Sequence, residues 1–304
     1  MEKGKIVAAA LTPHPPHLVY AENPPQNEPN STGGWEGLRD GYRKLRESWK
    51  ELDFDVIIVH SPHWKTSCGT HFLGVSEFSS KSVDPIFPHL FRYNYDLKVD
   101  VALSEQISQE VSAVGLVTKM MRNPDFRVDY GTIIACHLVR PEWDKPIVAI
   151  SSNRSYFEFS NEVGQAQMLA LGEATRRAVE ASGKRALLLA STSLSHRHFT
   201  KEPPVPEDMS YEHIYHKGQE LWDQKVIKLM QEGRTQELLD VMPDFIEQAT
   251  SECKDGSLTW MLGALGIPEY PAQLHAYGTV IGTGNAVMSW DPLAVEEKLA
   301  RSAK

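Results

Sequence analysis

Short, wholly apolar runs alternate along this 304-residue chain with longer stretches whose apolar positions recur three or four residues apart. Ile6–Leu11 has the length of a buried strand and stops at Thr12-Pro13. Trp35, Leu38, Tyr42, Leu45, Trp49 and Leu52 form a helical stripe over Trp35–Leu52. The turn Asp53-Phe54-Asp55 then leads into the β-branched strand Val56–His60, ended by Ser61-Pro62. A helix over Val99–Ala113, a strand over Val117–Met121 and strands at Pro146–Ile150 and Ala186–Ala190 continue the alternation. Between the last two lies a helix over Ala166–Ala181, closed by Ser182-Gly183. Later helices are expected at His213–Glu232 and Pro243–Cys253, and one Gly-interrupted strand at Tyr277–Met288. Two segments read as long irregular loops: the Pro-rich Glu22–Gly34 and the aromatic Phe78–Tyr95.

Strands without polar alternation are buried on both faces. The pattern therefore predicts an α/β chain, one domain over residues 1–304, with a central mixed, largely buried sheet flanked by helices. The longest apolar run has six residues, against the roughly twenty a membrane-spanning helix needs, so no membrane association is expected. Forty acidic against 31 basic side chains give a formal charge of −9, which disfavours nucleic acid as a partner. Met1–Lys5 runs straight into the first strand with no cleavage signal, and Cys68, Cys136 and Cys253 fall in no CxxC pattern. A reducing cytoplasm is the expected compartment.

The chemistry is concentrated in histidines at strand ends. His14 and His17 follow the first strand, His60 and His63 close the Val56 strand, and His196 and His198 lie just beyond Ala186–Ala190. Ligands of open α/β sheets bind outside the strand carboxyl ends, so parallel strands would bring these loops to one rim. Two neutral imidazoles and one carboxylate make the facial set of non-haem Fe(II) oxygenases. Phe245, Ala249 and Glu252 fall at i, i+4 and i+7 of the expected Pro243–Cys253 helix, which turns Glu252 inward and Glu247 elsewhere. A buried carboxylate needs a partner or a metal; the alternative is a helix-end charge bent toward solvent.

Thr12–His17, Ser61-Pro62-His63, Asp129-Tyr130-Gly131, Ser193-Leu194-Ser195-His196 and Glu252, with Tyr277–Asn285 at the far end, together resemble the type III extradiol ring-cleaving dioxygenases, the protocatechuate 4,5-dioxygenase superfamily. The stretches His14–Tyr20, Asn23–Pro29 and Lys119–Pro124 are most similar to its aminophenol-cleaving branch. The resemblance implies Fe(II) held by His14, His63 and Glu252, and His196 as acid–base catalyst. Where the family often has Asp-His-Gly this chain has Asp129-Tyr130-Gly131, and Tyr130 is the expected substrate-orienting group, which suits an aminophenol better than a carboxylated catechol. His17, His60 and His198 are expected to support the site rather than ligate.

The implied reaction uses O2 to open an ortho-aminophenol ring to an aminomuconic semialdehyde. The implied assembly is an α₂β₂ heterotetramer with a homologous α subunit, this chain being the active member because it keeps all three ligands and His196. The competing readings are a catechol-type substrate, a zinc hydrolase using the same ligands, and a non-catalytic interaction subunit.

Overall fold

The computed structural model describes residues 3–20, 34–86, 88, 91–153, 160–199 and 212–302. In chain order its elements are β1 (Lys5–Leu11), α1 (His17–Tyr20), α2 (Gly34–Ser48), β2 (Val56–Lys65), β3 (Thr70–Leu73), β4 (Glu77–Val83) and β5 (Arg92–Lys98). Then come α3 (Val101–Ala113), β6 (Thr118–Met121), α4 (Tyr130–Val139), β7 (Ile147–Ser152), α5 (Asn161–Ser182) and β8 (Arg185–Ala190). The chain closes with α6 (Lys217–Gln231), α7 (Thr235–Gln248), α8 (Gly256–Ala264), β9 (Gln273–Val280), β10 (Thr283–Trp290) and α9 (Pro292–Ser302).

Eight strands form one sheet in the order β6-β3-β7-β2-β8-β1-β10-β9, and β4 with β5 forms a separate hairpin. The central strands β7, β2, β8 and β1 run parallel, whereas β10 is antiparallel to β1 and β3 to β7. The sheet is therefore mixed, as expected, with a block of four parallel strands at its centre.

The apolar runs serve two cores at once. In β8, Ala186, Leu188 and Ala190 face one side and Leu187 and Leu189 the other; β2 splits in the same way into Val56 and Ile58 against Ile57 and Val59. This is the two-residue period of a strand covered on both faces. Residues of α3, α5, α6, α7 and α8 fill the first core. The second is filled by α2, through Trp35, Leu38, Tyr42 and Leu45 of the expected stripe, together with α4 and the β4–β5 hairpin. Gly183, in the left-handed conformation at φ 73°, ends α5 at the position where Ser182-Gly183 predicts it.

Three expectations need correction, and a fourth is untested. Phe78–Tyr95 is not a loop throughout, because its ends are the β4–β5 ladder, with Phe78 opposite Leu97 and Tyr95 opposite Ser80. The run to Met288 is not one strand but the hairpin β9–β10, turned at Ile281-Gly282, both at positive φ. The Pro243–Cys253 helix begins earlier and ends sooner, as α7, with Pro243 inside it. Proline cannot donate to the carbonyl four residues back, and Gln165 Nε2 donates to the Leu239 carbonyl instead, at 2.8 Å. Finally, all of the expected Glu22–Gly34 loop except Gly34, the first residue of α2, lies outside the described residues.

Candidate metal centre and acid–base site

Because β1, β2 and β8 are parallel, their carboxyl ends open on the same edge, and the chain leaving each contributes to one pocket. Thr12 ties the end of β1 to that of β8, its N–H and hydroxyl both donating to the Ala190 carbonyl. His14 follows two residues later and is buried. His63 lies where the β2–β7 ladder is interrupted between Ser61 and Lys65, a break that Pro62, lacking an N–H, helps to make. Its ring stands edge-on to that of His14, the centroids 4.7 Å apart.

Glu252 arrives by a route that helical spacing does not describe. α7 stops at Gln248, and a tight turn follows in which Thr250, Cys253, Lys254 and Asp255 all have φ between 43° and 54°. Such a cluster of left-handed, non-glycine residues is strained and persists only where surrounding contacts over-determine it. Here they do: Glu252 N–H donates to the Leu194 carbonyl and His196 N–H to the Thr250 carbonyl, both at 3.2 Å. The inward aim expected of Glu252 is correct; the helix that was to supply it is not present at that residue.

His14, His63, Tyr130, His196 and Glu252 lie side by side. Glu252 Oε1 lies 3.1 Å from His63 Nε2, 3.4 Å from His14 Nε2 and 3.8 Å from His196 Nε2. Glu252 Oε2 is turned away and accepts the Ser193 N–H at 2.7 Å, the Ser193 hydroxyl at 3.1 Å and the Thr192 hydroxyl at 3.2 Å. Burial pushes the Glu252 carboxyl up, but His14 and His196 beside it outweigh that and hold it well below the usual carboxylate range.

One candidate ligand atom from each of His14, His63 and Glu252 falls within 4.8 Å of the others. Donors bound at right angles about 2.1 Å from an ion are roughly 3 Å apart, so little movement separates this arrangement from a coordination shell. For His14 the hydrogen bonds leave the right atom for a metal. The Ser191 hydroxyl donates to the Gly131 carbonyl at 2.8 Å, so its oxygen accepts the His14 Nδ1–H at 2.9 Å and leaves the Nε2 lone pair for a metal. The three residues can hold a divalent metal ion, and the donor set suits iron or zinc.

His196 and Tyr130 flank this centre. Because the Ser193 hydroxyl donates to Glu252, its oxygen takes the His196 Nδ1–H at 2.7 Å, which leaves His196 Nε2 facing the pocket, 3.2 Å from His198 Nε2. Burial, partly offset by Glu252, lowers the His196 imidazole to about 4, so it is neutral near pH 7. Tyr130, the first residue of α4, meets His63 Nε2 through its hydroxyl at 2.8 Å. Burial, reinforced by Asp84 and Glu252, pushes its phenol well above the ordinary value and keeps it a neutral donor.

The motif around Tyr130 has a mechanical reason. Asp129 caps α4 by accepting from Thr132 N at 3.0 Å and also accepts the Ser61 hydroxyl. Gly131 must remain small, since a Cβ there would sit 2.7 Å from Ser61 Oγ and 3.1 Å from His63 Cδ2.

The other histidines separate. His17 and His198 line the pocket, whose apolar wall includes Ile86, Val280 and Ile281. His60 is instead fully buried, bonded through Nδ1 to Ser257 Oγ at 2.8 Å and stacked on Trp260. Sequence reasoning missed Ser191 as the partner that orients His14. It quoted Ser193 only as part of a motif, whereas its single hydroxyl links Glu252 to His196.

Comparison with known proteins fits this geometry. Residues 8–288 match the model of the family described as the catalytic LigB subunit of aromatic ring-opening dioxygenase. The chain is 55% identical over 303 residues to the 2-aminophenol 1,6-dioxygenase β subunit of a Pseudomonas species, covering 100% of this chain and 99% of that one. It is 26% identical to the 3,4-dihydroxyphenylacetate 2,3-dioxygenase of Escherichia coli, over 89% of this chain and 94% of the relative. To the Pseudomonas 2-aminophenol 1,6-dioxygenase α subunit the identity is 24%, over 84% and 91%. In fold it is similar to an uncharacterized protein of Escherichia coli K12, with a TM-score of 0.62 at 14% identity over 93% of this chain and 99% of that one. The chain belongs to the family of the catalytic LigB subunit of aromatic ring-opening dioxygenases.

Proposed function

We propose that this chain is the catalytic β subunit of a 2-aminophenol 1,6-dioxygenase, an extradiol enzyme that opens 2-aminophenol with O2 to 2-aminomuconic 6-semialdehyde. The metal is Fe(II), held by His14, His63 and Glu252; the compartment is the cytoplasm and the assembly α₂β₂ with a homologous α subunit. The observation that carries this reading is the convergence of two imidazole nitrogens and one carboxylate oxygen beside His196 and Tyr130. The 55% identity to a β subunit of that name and the weaker similarity to an α subunit support the substrate and the partner.

Both oxygen atoms enter the product, so the reaction consumes no external reductant. A ferrous ion, when bound, supplies neighbouring positions for the ring and for O2 and the electronic coupling between them. The residues do the rest. His196, neutral near pH 7 and with Nε2 toward the pocket, takes the proton of the substrate hydroxyl and returns it later. Ser193 holds that tautomer and at the same time fixes Glu252. Tyr130 donates its phenol hydrogen to a ring substituent, and the wall of Ile86, Val280 and Ile281 takes the ring's apolar edge.

The test is oxygen uptake by protein reconstituted anaerobically with Fe(II) and assayed with 2-aminophenol, catechol and protocatechuate. Uptake that is fastest with 2-aminophenol supports the proposal. Preference for catechol would move the substrate, and a zinc-bearing protein that consumes no oxygen with any of the three would overturn the reading in favour of a hydrolase.

A further inference from the structure

Asp223 lies on α6 and touches none of the candidate ligands, yet it is wholly buried and has three donors trained on it. Ser195 N–H reaches Oδ1 at 2.9 Å, Ser195 hydroxyl reaches Oδ2 at 2.7 Å, and Tyr277 hydroxyl reaches Oδ2 at 2.8 Å. Burying a carboxylate for the sake of hydrogen bonds to neutral groups is an expensive way to hold a core together; apolar side chains of similar volume do so at lower cost. Its position accounts for it. Ser195 immediately precedes His196.

The strip 194–196 is stitched on both edges. Leu194 N–H donates to the Gly284 carbonyl at 2.8 Å and Gly284 N–H to the Ser195 carbonyl at 2.9 Å, which joins the strip to β10. On the other edge it bonds to Thr250 and Glu252, with Ser195 bridged to Ser251. Asp223 pins this strip from below. Gly284 is what lets it in, because a Cβ there would lie 1.8 Å from Asp223 Oδ2 and 2.7 Å from Ser195 Oγ. The His196 side chain itself is 29% exposed, so its place over the pocket depends on the backbone that carries it and on the Ser193 hydroxyl.

We infer that Asp223, clamped by Tyr277 and acting through Ser195, is a positioning residue that sets the place of the His196 ring in the reaction. The inference rests on the reading of His196 as the proton carrier. Misplacing a reacting group by about 1 Å can cost on the order of 100-fold in rate. A change at Asp223 is therefore expected to lower kcat about 10- to 100-fold while leaving iron content unchanged and KM within about threefold.

The experiment is a double-mutant cycle on the iron-loaded enzyme, with its partner subunit present, using Asp223→Asn, His196→Ala and the combination. Oxygen uptake is measured with 2-aminophenol and with a nitro-substituted catechol whose hydroxyl is already ionised at the assay pH. If Asp223 acts through His196, the double variant is no slower than His196→Ala alone. The Asp223→Asn deficit is also at least several-fold smaller on the pre-ionised ring, which needs no base. Ser195→Ala, which removes one of the three donors, repeats the pattern more weakly and substitutes for Asp223→Asn should that variant not fold. Additive losses, a deficit equal on both substrates, or wild-type kcat in a folded Asp223→Asn each overturn the inference. Wild-type protein that binds iron but takes up no oxygen overturns instead the dioxygenase reading, and this inference falls with it; an active wild type with an unaltered Asp223→Asn sinks the positioning role alone.

Discussion

Glu252 and Ser193 are joined twice, backbone N–H and hydroxyl both donating to Oε2, so the loop after β8 fixes the carboxylate while its other oxygen faces His14 and His63. This division of labour between the two oxygens separates the candidate metal ligands from residues that only aim them. Mutations can tell the two apart.

Alanine at His14, His63 or Glu252 removes a ligand, and each variant is expected to lose bound iron when measured after anaerobic reconstitution. Ser191→Ala removes only the group that orients His14, and is expected to weaken iron binding about 10- to 100-fold in a competition titration. His196→Ala should retain iron and lose about 100-fold or more of turnover. A metal-replete His63→Ala protein would overturn the ligand set.

Gly131→Ala forces a methyl group against Ser61 and His63. It is expected to destabilise the protein by about 1–3 kcal/mol in denaturant titration and to weaken iron binding at the same time. Wild-type stability with normal iron content would show that the α4 entrance can shift without disturbing His63.

Tyr130→Phe keeps the ring packed against His63 and deletes one hydroxyl. The expected result is retained iron and a loss of about 3- to 10-fold in kcat/KM, the worth of one neutral hydrogen bond. Steady-state kinetics with 2-aminophenol and catechol measures it. An unchanged kcat/KM with both would remove Tyr130 from the substrate-binding groups.

Burial lowers His60 from the ordinary 6.5 to about 3, so the folded protein refuses a proton that the unfolded chain accepts. The contribution of His60 to stability is therefore intact above pH 6.5 and is lost as pH falls from there toward 3, by up to about 1.4 kcal/mol per pH unit. In His60→Gln this slope should be reduced, as read by urea midpoints between pH 4 and 7. An identical slope in both proteins would contradict it.

The elements that the sequence made visible are those with one-sided or strongly apolar patterns: the Trp35 stripe of α2, the runs of β1, β2, β7 and β8, and the Ser182-Gly183 stop. α4 and α8 escaped because nearly every residue of α4 and all nine of α8 are buried, which leaves no polar face to give a helical period. The β4–β5 hairpin escaped because Ser79, Ser80, Lys81 and Ser82 carry no strand signature. Glu252 was legible as an inward carboxylate for a different reason from the real one, since three consecutive left-handed residues without glycine have no sequence mark. The five residues named from the family resemblance line one pocket; what propensity could not supply were the hydroxyls of Ser191 and Ser193, whose value depends on hydrogen-bond direction.

The candidate ligands reside far apart along the polypeptide, His63 and Glu252 being 189 positions apart. No nascent fragment lacking the last third of the protein can present all three, so a site built from all of them forms only when the two ends of the chain have met in the fold.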